Sequence, residues 1–187
     1  MKQKKKKSTV TFIMMGLMML SLVVSGCSDK LMQSIPVADE PQIEFSDEPK
    51  ILGRNMEATP AQLSGPNLYT EQIVSSLSGA TITLYDVTLI VPPLAVDNDT
   101  LFSISIPDAS LFYNEFGTNG LQFNLPVTVI MNYRDADLSG IDETTIRLAW
   151  FDENDQSWQD MQCTVDFISK TVTGQLDHFS SYGLISD

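Results

Sequence analysis

From residue 72 onward the chain is built of short apolar runs with a period of two, and no other feature constrains its fold as strongly. Ala80–Leu84 alternates, Val87–Val91 is apolar and β-branched, and Leu101–Ile106 sets Leu101, Ser103 and Ser105 against Phe102, Ile104 and Ile106. Val127–Met131 is a continuous apolar run. Side chains alternate across a strand but recur roughly every 3.6 residues on a helix, and none of these runs has helical spacing. Ile146, Leu148 and Trp150 fall on one side of a further run, with Arg147, Ala149 and Phe151 on the other. The polar stretch 152–156 then turns the chain into Trp158–Met161, a hairpin signal. Cys163–Ile168, Thr171–Leu176 and Phe179–Ile185 complete the series. Some nine or ten short strands in about 115 residues, with Pro92, Pro93, Pro107 and Pro126 at their ends, predict an all-β antiparallel sandwich over 72–187.

The N-terminus carries different information. Five lysines crowd Lys2–Lys7, and an apolar run of 13 residues follows from Phe12 to Val24. That run is short for a helix crossing a bilayer, which needs roughly 20 residues, but suits a secretory signal over 1–26. It closes on Val24-Ser25-Gly26-Cys27, which resembles a bacterial lipobox. The likeness implies cleavage between Gly26 and Cys27 and a covalent lipid, palmitate among its acyl chains, on the Cys27 sulfur. Each buried methylene contributes about 0.8 kcal/mol, so several chains hold a protein on a membrane that it does not cross. Ser28 is not the aspartate that retains many Gram-negative lipoproteins at the inner membrane, so the expected location is the cell envelope, at the outer membrane where one exists.

All 24 acidic residues lie after Cys27, against only six bases there (Lys30, Lys50, Arg54, Arg134, Arg147 and Lys170), so the expected mature chain carries a net charge of −18. Such a chain lacks the basic patch that neutralises phosphates, which argues against nucleic acid as a partner. With Cys27 lipidated, Cys163 has no intrachain partner, and its setting in Met161–Val165 predicts a small buried hydrophobe. Residues 27–71 hold prolines at 36, 41, 49, 60 and 66, the acidic pairs Asp39-Glu40 and Asp47-Glu48, and no sustained apolar period. The expectation is a disordered tether, about 35 Å end to end if it behaves as a coil.

Several ordered motifs carry a family likeness. Ser78–Leu84, Val87–Val96 with its Pro92-Pro93, Glu115–Thr128, Arg147–Trp158 and His178–Leu184 together resemble the ZU5 domain. The likeness covers about residue 73 to the C-terminus and departs at Leu94, where the family carries glycine after the two prolines. It implies a β-sandwich acting as a structural or protein-interaction module, with a protein partner. It also implies an alternative: in some relatives a His-Phe-Ser tripeptide cleaves itself. By that analogy Ser180 is the nucleophile, His178 moves the proton and the Phe179–Ser180 peptide is cut, chemistry that needs strain and a base within reach.

Two further binding chemistries are written in the loops. Asp97 and Asp99, and Asp152 and Asp155, offer oxygen ligands for calcium, although neither cluster has the spacing of a calcium loop and such residues also favour turns for backbone reasons. Trp150, Phe151 and Trp158 around the hairpin, with Tyr69, Phe112 and Tyr113 nearer edges or loops, could form a carbohydrate-binding face. The two tryptophans are expected in the core. The sequence holds one histidine and neither a phosphate loop nor a zinc motif, so a non-catalytic binding module is the leading expectation.

Overall fold

A computed structural model describes residues 49–57 and 68–187. Among these the chain is all β, with two antiparallel sheets packed face to face as a sandwich. The strands are β1 (Lys50–Ile51), β2 (Leu68–Val74), β3 (Ala80–Leu84), β4 (Val87–Val91), β5 (Thr100–Ile106), β6 (Tyr113–Gly117), β7 (Gln122–Asn132), β8 (Arg147–Asp152), β9 (Ser157–Asp160), β10 (Cys163–Asp166), β11 (Thr171–His178) and β12 (Ser181–Ser186). A 3-10 turn at Glu143–Thr145 precedes β8, its N-cap Asp142 accepting a hydrogen bond from the Thr144 amide.

One sheet has seven strands in the order β2-β5-β6-β12-β8-β9, with β1 also paired to β12. The other runs β10-β11-β7-β4-β3. The alternation read in the sequence decides which side chains enter the core. Phe102 and Ile104 of β5, Leu148 of β8, and Tyr182 and Leu184 of β12 meet Val87 and Leu89 of β4, Val127, Val129 and Met131 of β7, and Leu176 of β11, all fully buried. Phe179, at the corner where the chain leaves one sheet for the other, packs edge-on against Phe102 at 4.7 Å and Phe123 at 4.8 Å. Edge-to-face aromatic pairs contribute about 0.5–1.5 kcal/mol beyond the area they bury, so this corner is a strong joint.

Several sequence expectations need correction. Within the segment expected as tether, 27–71, residues 49–57 and 68–71 belong to the sandwich; the remainder lies outside the described residues. β1 pairs Lys50 with Ser186 and Ile51 with Ile185, Leu52 is fully buried, and β2 starts at Leu68 opposite Ile106. A two-residue strand and one inserted leucine leave no period to detect. Pro126 does not end a strand but sits inside β7. It is tolerated because β4 pairs only Val87–Ile90 with Thr128–Met131, and the β11 register shifts between Leu176 and His178, so no ladder bond is required of it. The run Cys163–Ile168 stops as a strand at Asp166, whose carboxylate accepts from the amides of Ile168 and Ser169 and turns the chain, leaving Ile168 96% exposed. Cys163 is half-buried rather than buried, and its sulfur accepts from the Leu148 amide at 3.4 Å.

Leu94 lies in the left-handed region, at φ 66. Its amide donates to Ser76 O at 2.7 Å, fixing the loop after Pro92-Pro93 against the β2–β3 turn. A non-glycine residue there costs about 1–2 kcal/mol relative to glycine.

Candidate functional site

The outward face of the seven-stranded sheet gathers the polar side chains that its strand alternation rejects from the core. Tyr69 of β2 lies opposite Ser105 of β5, Ser105 opposite Glu115 of β6, and Glu115 opposite Ser181 of β12, so four strands contribute to one row. Beside it, Glu71, Ser103 and Gly117 form a second row. A Cβ at Gly117 would collide with the Ser103 hydroxyl, which would have to turn aside. The members of these two rows other than Glu71, together with Phe116, Asn119, Glu153 and Ser180, line an open depression of about 400 Å³.

Hydrogen bonds fix the geometry of this face. The Tyr69 hydroxyl donates to Glu71 Oε2 at 2.6 Å, a contact that raises the phenol's pKa and aims a ring that is 54% exposed. The Tyr113 hydroxyl lies 3.0 Å from both Glu115 Oε1 and Ser181 Oγ. Burial first, and then the neighbouring Glu115, pushes that phenol up. Trp158 is on this outer face, opposite Phe151, and not in the core as expected. It lies over Gly183, where a Cβ would come within 3.3 Å of its ring, and it meets Tyr113 edge-on at 6.1 Å. Trp150 points inward, as the alternation predicts, with the His178 ring edge-on at 4.9 Å. Phe112, expected near an edge, is buried.

The His178-Phe179-Ser180 segment is firmly held. Phe179 donates its amide to Leu121 O at 2.9 Å, and its carbonyl accepts from the Gly120 amide at 3.0 Å. The Ser180 hydroxyl donates to the Phe151 carbonyl at 3.2 Å, and no hydrogen bond among the described residues joins it to the His178 ring. A carbonyl oxygen is far too weak a base to take the serine proton. The Gly120 amide would stabilise an oxyanion on Phe179, but the serine hydroxyl is engaged elsewhere.

The acidic loop residues act as turn acceptors. Asp97 accepts from Asn124 Nδ2 at 2.8 Å, Asp99 from the Ser76 amide at 2.9 Å, and Asp152 from the Asn154 amide at 2.8 Å. Asp155 lies in the exposed turn between β8 and β9. Among the described residues no three histidine, cysteine or acidic side chains come together as a group able to hold a metal.

Sequence reasoning missed Arg54. Its side chain is fully buried, 2.7 Å from Asp86 and 3.2 Å from Asp135, with the guanidinium 3.8 Å over the Phe112 ring. Arg54 Nη2 and Asp86 Oδ1 have no hydrogen-bond partner among the described residues. Burial raises the Asp86 pKa despite the opposing pull of Arg54. A lone arginine in a proline-bearing acidic segment gives no local sign that it is inserted.

Gly26 and Cys27 lie outside the described residues. Among the described residues no helix is long and apolar enough to cross a membrane. In comparisons with known proteins, no family model and no curated sequence matches this chain.

Proposed function

We propose that this chain is an exported lipoprotein, anchored through Cys27, whose ZU5-like sandwich works at the cell envelope by binding another envelope component and not by catalysis. The observation that carries the binding reading is the ordered polar face of the seven-stranded sheet, where Tyr69, Ser105, Glu115 and Ser181 align across four strands around an open depression. Side chains oriented by their own hydrogen bonds lose little freedom when a ligand arrives, which favours affinity. The anchoring reading rests on the lysine cluster, the 13-residue apolar run and the lipobox likeness at Cys27. The ZU5 likeness gains support at Leu94: the family's glycine position coincides with a left-handed backbone.

Self-cleavage at Phe179–Ser180 is the weaker alternative, because the Ser180 hydroxyl is bonded to a carbonyl that cannot accept its proton. The test of the main reading is metabolic labelling with a clickable palmitate analogue in a bacterial host, followed by co-purification from solubilised membranes. Label on the wild-type chain, none on Cys27→Ser, and a stable envelope component retained with the labelled chain are the expected results. An unlabelled wild-type chain released into the medium would overturn the anchoring.

A further inference from the structure

We propose that the depression on the seven-stranded sheet is a binding site for an uncharged saccharide chain, a reading that rests on the choice of this face as the working surface. β5 and β6 are interior strands with a neighbour on each side, so their backbone groups are already paired and a peptide cannot extend the sheet at them; the edges of the sheet are β2 and β9. What remains for a ligand is side-chain chemistry: the hydroxyls of Ser103, Ser105 and Ser181, the carboxylates of Glu115 and Glu153, and the Tyr69 ring at the rim. Hydroxyls donate and accept, and a carboxylate offers two acceptor oxygens, which suits the adjacent hydroxyls of a pyranose.

Charge narrows the class further. No lysine or arginine lines the depression, and two glutamates do, so phosphate, sulfate and uronic acid groups meet repulsion. The spacing also fits. Adjacent strands lie about 4.8 Å apart, so polar groups in the Tyr69–Ser105–Glu115–Ser181 row recur at close to the width of a sugar ring. The Tyr69 ring, tied at its hydroxyl to Glu71, offers a fixed flat surface to the C–H face of a pyranose. The volume, about 400 Å³, is within the usual range for ligand clefts and leaves the ends open for a longer chain.

The test is calorimetric titration of the full chain, held in a detergent without sugar headgroups, with soluble β-1,4-linked glucose, xylose and N-acetylglucosamine tetramers and α-1,4-linked glucose tetramer. Binding of at least one is expected. Tyr69→Ala and Glu115→Gln are each expected to weaken it by about tenfold or more, while Tyr69→Phe, which keeps the ring, weakens it less than Tyr69→Ala. Unchanged thermal midpoints in these variants show that the sandwich is intact. No heat with any of the four at about 10 mM, or binding indifferent to both Tyr69→Ala and Glu115→Gln, overturns the saccharide reading. The palmitate label and membrane co-purification report on anchoring and partner separately, so either can succeed while the titration fails.

Discussion

The Arg54 guanidinium lies 2.7 Å from the Asp86 carboxylate in the interior of the sandwich, although Arg54 comes from an acidic, proline-bearing segment with no strand-like pattern. The contact joins the N-terminal arm to the β3–β4 turn, and Phe112 closes over it. It also has an unbalanced side, because Asp86 Oδ1 and Arg54 Nη2 have no hydrogen-bond partner among the described residues. Removing one member of a buried pair costs more than the pair itself contributes, since the other charge is left without compensation.

Arg54→Ala is therefore expected to destabilise the protein by about 3–5 kcal/mol, read as a lower denaturant midpoint, by leaving the Asp86 and Asp135 carboxylates facing each other. Arg54→Lys keeps the charge but loses the planar stack on Phe112, and should fall between the two. An Arg54→Ala chain as stable as wild type would mean that the arm is not part of the cooperative unit.

Leu94→Gly should leave stability unchanged or raise it by up to about 1 kcal/mol. The substitution relieves the left-handed strain, and the side chain it removes is mostly exposed. Leu94→Val should instead destabilise, because a β-branched side chain tolerates this backbone least. Thermal unfolding of the two variants in parallel checks the sign.

Gly183→Ala places a methyl group 3.3 Å from the Trp158 ring and equally close to the Phe112 carbonyl. The ring must move outward, which should cost about 1–3 kcal/mol as overpacking and shift tryptophan emission to longer wavelength. Emission unchanged from wild type would show that Trp158 does not rest on Gly183 in solution.

Intact mass of the purified chain under denaturing conditions should show no cut at Phe179–Ser180, and Ser180→Ala should give the same single species. The variant loses the bond to the Phe151 carbonyl and with it about 1 kcal/mol of stability. A fragment ending at Phe179 in the wild type and absent from Ser180→Ala would establish self-cleavage instead.

Acid should weaken the fold. Hydrogen bonds from Ser110, Ser139, Thr144 and Ser169 hold Asp108, Asp137, Asp142 and Asp166 below the ordinary carboxylate range, and Lys170 and Tyr133 do the same for Glu143. A value depressed in the folded state contributes stability that is present above the unfolded pKa and lost as pH falls through the folded one. Asp86 has the opposite sign: burial raises it, so its contribution declines as pH rises from the ordinary carboxylate value through the raised one. With five depressed groups against one raised, the denaturant midpoint should drop as the solution is acidified below about pH 4. A midpoint flat across that range would contradict the hydrogen bonds assigned to these turns.

The local period was enough to assign β3, β4, β5 and β8 and the side each residue takes in β8, because alternation across a strand is a property of neighbouring residues. It was also enough to predict two sheets, since so many half-apolar strands can bury their faces only against one another. Leu52 and Arg54 escaped that reading, as did the outward position of Trp158, because each depends on what lies across from it and not on what lies beside it. The polar row from Tyr69 to Ser181 is the clearest case. Its members come from strands up to 112 positions apart, and register between such strands is settled only when the core closes and chooses which residues stand opposite.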